Sequence, residues 1–160
     1  MMTRYLYPLL FPVFFLISAC NENDERMPAE EGRIPDYSAT VHFIAEKADT
    51  VSSIQAAVAD TDASRATGLM DVFEMPMDRG MLFIFPDEKP RSFWMANTPL
   101  ALDIIFVSEE MEIVRIHRNT LPYSERNVSS GATAMYAVET NAGYTRRNDI
   151  KEGMSIAYEL

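Results

Sequence analysis

The stretch Ser92-Phe93-Trp94-Met95-Ala96-Asn97-Thr98-Pro99-Leu100-Ala101-Leu102-Asp103-Ile104-Ile105-Phe106-Val107 joins two apolar runs of strand length across a break centred on proline. Phe93, Trp94 and Met95 carry a strand over 91–96. Asn97-Thr98-Pro99 ends it, because proline lacks an N–H and restricts the residue before it. A second strand over 101–107 pairs with 112–118 as a hairpin around 108–111. Its side chains are apolar on both faces, apart from Asp103.

Working outward, an apolar strand at 81–85 ends at Pro86, after a turn-rich connection over 75–80. A helix over 63–72 starts at Thr61-Asp62, either of which can cap its free N–H groups. Gly68 falls inside that helix, where it costs ~1 kcal/mol relative to alanine, and is expected to permit close packing. Strands are expected at 41–45 and 53–59, the latter with Ile54, Ala56 and Val58 alternating. Downstream, 119–134 reads as a polar loop, and 135–140 and 154–159 as the last strands. Short strands with frequent turns and one helix predict a mainly β or α+β domain: an antiparallel sheet or partly closed β-barrel with one covering α-helix.

Four segments in order, 61–70 (TDASRATGLM), 79–85 (RGMLFIF), 92–107 and 138–143 (VETNAG), resemble domain of unknown function family 192, a bacterial and archaeal family. The resemblance covers about residues 54–156. It implies a compact β-rich fold with a helix, often exported or lipid-anchored, and no established activity. Two positions depart from the family pattern: Ser64 stands for a glutamate and Val72 for an arginine. Thr61 with glutamate three residues on is a capping box, so serine is expected to lose the reciprocal carboxylate and Ser64→Glu to stabilise by ~0.5 kcal/mol.

The amino-terminal residues predict an address. Arg4 is the only charge before Cys20, and an apolar run over 6–17 leads into Ser18-Ala19-Cys20. These are the parts of an export signal, and the run is too short to span a bilayer, which needs roughly 20 apolar residues. Ile17-Ser18-Ala19-Cys20 resembles the lipobox of bacterial lipoproteins, which implies cleavage after 19 and lipidation of Cys20. Asn21 in place of aspartate points to the outer membrane, facing the periplasm, rather than the inner membrane. The expected organisation is a signal peptide at 1–19, a lipidated cysteine and acidic tether at 20–38, and one globular domain at 39–160. The tether is rich in acids and prolines and poor in apolar side chains, so it is expected to be flexible.

The 160 residues carry a formal charge of −10, with a pI near 4.6. That balance excludes nucleic acid as a partner, since such binding rests on cationic neutralisation of phosphate. The membrane is expected as a partner through the lipid anchor alone. A single cysteine excludes an internal disulfide and a cysteine-based zinc site.

Candidate chemistry centres on charge in apolar runs. Asp103 lies between Leu102 and Ile104, and Glu139 follows Ala137-Val138; buried carboxylates need partners. Arg65, in the first helical turn where the macrodipole disfavours a cation, is expected to reach one of them. A cluster of Arg65, Asn97, Asp103 and Glu139, floored by Trp94, could orient a small polar or glycan-like envelope ligand, or lock helix to sheet as a structural network. A protein-interaction scaffold is an alternative. So is a hydrolase with Asp103 and Glu139 as a carboxylate pair. His42 and His117 lack a nucleophile motif, and the methionines at 70, 75, 77, 81 and 95 suit core packing better than Cu(I). Acidic runs at 60–62 and 109–112 complete no calcium loop. The expectation is a non-catalytic domain without cofactor or metal.

Overall fold

The computed structural model of the protein describes residues 32–45 and 49–160. The export segment, Cys20 and the tether up to residue 31 lie outside the described residues. Seven strands and two short helices follow in order: β1 (Ala39–Ile44), β2 (Thr50–Ala59), α1 (Asp62–Thr67), β3 (Arg79–Phe93), β4 (Leu102–Val107), β5 (Ile113–Thr120), β6 (Val128–Asn141), α2 (Tyr144–Arg147) and β7 (Ser155–Glu159).

The strands form one sheet in the order β5-β4-β6-β3-β2-β1-β7. It curls into a half-barrel whose two edges meet at one end. Glu112 bridges Ser155, the Ile113 N–H donates to the Met154 carbonyl at 2.7 Å, and the Ile156 N–H donates to the Met111 carbonyl at 2.9 Å. The concave side holds one core, with Val41, Phe43, Ile54, Leu82, Ile105, Ile113, Val138 and Ile156 drawn from all seven strands. The opposite face of β2, β3, β6 and β4 carries a second cluster with Leu69, Val72, Met81, Phe83, Met95, Ile104 and Phe106, covered by α1 and the turn after it. Strand β4 is buried at every position, as a strand between two cores must be.

Several elements differ from the sequence reading. The sheet is mixed, because β2 pairs in parallel with β3 after a crossover through α1. The two strands expected around Pro86 are one long β3. Pro86 falls among residues 85–88, which bulge between the Ile84–Tyr136 and Lys89–Ala134 pairs, so its missing N–H interrupts no ladder bond. Half of the expected loop at 119–134 is strand: β6 starts at Val128 and pairs Ser129 with Ser92 and Thr133 with Pro90. There Ser129 and residues 131–133 are exposed, while Val128 and Ala134 are buried in the second cluster. Helix α2 has no counterpart in the sequence reading.

Helix α1 ends sooner than its apolar pattern suggests. Gly68 takes φ 46° and stops it, a conformation glycine adopts at little cost, and leaves only 3.4 Å between an added Cβ and the Phe83 ring. At the other end the Ser64 hydroxyl accepts from the Thr61 N–H at 3.0 Å while the Ser64 N–H donates to Thr61 Oγ1 at 3.1 Å. The capping box is therefore complete with serine, and the expected loss of the reciprocal bond does not occur.

Residues 32–38, within the segment read as tether, lie against this end of the domain. The Arg33 N–H donates to the Asp71 carbonyl at 2.7 Å, its guanidinium donates to the Gly68 and Met70 carbonyls, and Arg79 stacks on the Tyr37 ring. No helix among the described residues is long and apolar enough to cross a membrane.

Candidate functional site

Asp103 and Glu139, the two carboxylates singled out by burial in apolar runs, have opposite surroundings. Asp103 is fully buried and fully bonded. Its Oδ1 accepts from the N–H groups of Asn119 at 2.9 Å and Gly143 at 3.1 Å. Its Oδ2 accepts from the Thr145 N–H at 3.0 Å and the Thr145 hydroxyl at 2.6 Å. Four donors compensate the charge and tie the end of β5 and the start of α2 to β4. Asp103 is a structural knot.

Glu139 is 4 % exposed and has no hydrogen-bond partner among the described residues. It pairs in register with Met81 on β3 and Ile104 on β4, both in the second cluster, so its side chain points toward α1. Burial pushes its pKa up to about 8, because the charged form loses hydration and gains nothing. At neutral pH it is a carboxylic acid, with one O–H to donate and an oxygen to accept.

Arg65 does not reach either carboxylate. Its guanidinium donates to the carbonyls of Asp60 at 2.5 Å and Ile84 at 2.7 Å and pairs with Asp62 at 2.6 Å. It also lies 5.4 Å from the Phe85 ring centroid. Asp62, one turn earlier on the same helix, is simply nearer than the sheet. Asn97 adopts φ 56° in the turn after β3, and its carbonyl accepts from the Asp71 N–H at 2.9 Å. Its contribution is a backbone brace between two turns.

Three of the five candidates nevertheless share one place. Arg65, Trp94 and Glu139 line a crevice of about 40 Å³ together with Gly68, Phe93 and Thr98. Asn97 and Asp103 are not among its lining residues. Trp94, 59 % exposed, stands at the mouth rather than forming a floor. A groove of about 270 Å³ adjoins the crevice, shares Phe93 and Trp94 with it, and adds Ser92, Glu125 and Asn127. Sequence reasoning passed over Thr98, Glu125 and Asn127. Thr98 is buried although it sits in the turn, and only the register of the β3 and β6 arms brings 125–127 beside Trp94. The crevice is far below the roughly 300–1,000 Å³ of a small-molecule site, so it fits one functional group, while the groove has room for more.

Other candidates take ordinary places. His42 Nδ1 lies 2.7 Å from Ser53 Oγ across the β1–β2 pair. His117 Nε2 donates to the Ser129 carbonyl at 2.7 Å. Met75, Met81 and Met95 are buried in the second cluster. Among the described residues no group of three or more His, Cys, Asp or Glu side chains is arranged to hold a metal.

Residues 43–158 match the DUF192 family, described as an uncharacterised ACR. A crystal structure of a candidate transcription regulator from Sinorhizobium meliloti 1021 is 32 % identical, with a TM-score of 0.73 over 79 % of this chain and 98 % of that one. A protein of unknown function from Novosphingobium aromaticivorans DSM 12444 is 30 % identical, with a TM-score of 0.70 over 74 % of this chain and 83 % of that one. No curated protein matches. The family match extends over most of the half-barrel, including β3, β4 and β6, which bear the crevice, and the chain belongs to the DUF192 family.

Proposed function

We propose that the protein is a lipid-anchored envelope protein whose domain binds a small polar, glycan-like ligand without catalysing its conversion. One observation carries the binding reading: the Glu139 carboxyl, nearly buried and without a hydrogen-bond partner among the described residues, opens on a crevice whose mouth holds an exposed tryptophan. A polar group withdrawn from bulk water without a protein partner costs up to about 1–3 kcal/mol. A ligand hydroxyl or amide entering the crevice removes that cost by bonding the carboxyl, while a ring in the adjoining groove covers Trp94. The opposed orientation of Asp103 and Glu139 speaks against acid and base work by that pair, which would have to face one cleft. The regulator description of the Sinorhizobium relative is not carried over, since a net charge of −10 disfavours contact with nucleic-acid phosphate.

Trp94 is the only tryptophan, so its emission reports on the site directly. Titration of the full chain with diacetylchitobiose is expected to change that emission saturably, and Glu139→Leu to weaken binding about tenfold, the equivalent of one lost hydrogen bond to a buried group. Unchanged emission together with no heat by calorimetry would remove the reading.

The lipobox-like run ending at Cys20 supports the anchor, and several acyl chains at one site give stable attachment where one gives marginal binding. Cys20→Ser is expected to shift the protein out of the membrane fraction. Sedimentation with membranes as before would refute the anchor.

A further inference from the structure

The groove beside Trp94 continues past Asn127. A third cavity, of about 280 Å³, shares Asn127 and runs along the end of β5 and the loop to β6, with His117, Arg118 and Arg126 on its walls. No carboxylate lines it, although the chain carries ten more acids than bases. Two of the three basic groups are engaged. Arg118 donates to Thr145 Oγ1 at 3.1 Å and to the Ile150 carbonyl at 3.0 Å, and His117 donates to Ser129. Arg126 lines the cavity, and its guanidinium makes no hydrogen bond or ion pair among the described residues, so its charge and donor fork are unspent. The cavity and the tryptophan are held in register by backbone bonds, from the Met95 N–H to the Ser124 carbonyl at 2.8 Å and from the Tyr123 N–H to the Thr98 carbonyl at 3.1 Å.

We infer that crevice, groove and third cavity form one elongated site for an acidic glycan, with a hydroxyl or amide at Glu139, a sugar ring on Trp94 and the anionic group at Arg126. The inference rests on the binding reading above and extends it to a ligand class. A pyranose has an apolar C–H face that suits an exposed indole and a polar edge that suits Ser92 and Asn127. Glu125 lines the middle groove and repels an anion there, so the charge belongs at the Arg126 end. A guanidinium meets a carboxylate with paired, charge-assisted bonds, which an uncharged sugar cannot return.

The test compares diacetylchitobiose with the N-acetylglucosamine–N-acetylmuramic acid disaccharide, which adds a lactyl carboxylate, using Trp94 emission of the full chain. The acidic sugar is expected to bind about tenfold more tightly, as one charge-assisted bond predicts. That preference is expected to fall below about threefold in Arg126→Ala, to survive largely in Arg126→Lys, and to shrink in about 1 M salt, where screening acts within ~3 Å. Equal affinities in the unaltered chain, or a preference that persists in Arg126→Ala, would overturn the inference while leaving the crevice reading intact. Failure of both sugars to bind would overturn both.

Discussion

Asp103 lies directly opposite Thr140 in the β4–β6 pair, one position out of step with Glu139, and the two carboxyl groups therefore leave the sheet on opposite faces. Side chains alternate along a strand, so this single-residue offset separates their roles. One anchors the α2 end of the half-barrel with four bonds. The other opens on a crevice with none among the described residues.

Asp103→Asn is expected to destabilise the domain by about 2–4 kcal/mol. The amide keeps one acceptor oxygen, but its NH₂ group meets N–H donors from Asn119 and Gly143 or from Thr145 and leaves them unbonded in a buried place. Urea denaturation measures the loss, and amide exchange at Thr145 should accelerate with it. A variant as stable as the original chain would show that the knot contributes little.

Glu139 links stability to pH in the opposite sense from an ion-paired carboxylate. In the folded chain it holds its proton up to about pH 8, against 4.5 ordinarily. Between those values the folded state binds more protons than the unfolded state, so stability falls as pH rises through that window and levels off above it. The span from 4.5 to about 8 corresponds to roughly 4–5 kcal/mol at 1.36 kcal/mol per pH unit. The crevice has room for water, which lowers this to a few kcal/mol. Glu139→Gln is expected to match the original chain near pH 4 and exceed it near pH 9. Parallel stability curves for the two across this window would contradict the burial argument.

The apolar core of the fold was legible because 102–107 and 81–83 are buried on both faces, and burial on both faces leaves an unbroken apolar run. The continuation of β3 through 86–90 and the first half of β6 were not legible, since their ladder bonds are formed by Ser, Thr, Pro and Lys backbone, whereas the strand at 91–93 was. Burial of Asp103 and Glu139 was readable from their neighbours, whereas which face each takes depends on strand register, which one sequence does not state. Arg65 was assigned a sheet carboxylate although its helix already offers Asp62 three residues earlier, a pairing that i,i+3 spacing alone makes available.

Ser64→Ala is expected to cost about 0.5 kcal/mol, the low end of the range for helix caps, because the Ser64 N–H still donates to Thr61 Oγ1 and only the reciprocal bond from the exposed Thr61 N–H passes to water. Ser64→Glu replaces a bond the hydroxyl already makes and is expected to change stability by a few tenths of a kcal/mol at most. Melting temperatures of the two variants check this, and a clear gain from glutamate would mean the serine box is weak.

Gly80→Ala tests the contact that sets the register around Glu139. Gly80 is buried in β3 opposite Thr140, and a Cβ there would press on the Glu139 carbonyl oxygen and lie 2.6 Å from Ile54 Cδ1. The isoleucine end can turn aside, but the carbonyl belongs to the central ladder and cannot move without displacing β6. Overpacking of this kind costs about 1–3 kcal/mol, occasionally more, and here it also shifts the strand that carries Glu139. The variant is expected to lose at least 2 kcal/mol in urea denaturation, in line with that range, and to alter Trp94 emission at low denaturant. Unchanged stability would mean that β3 and β6 have more slack than their ladder implies.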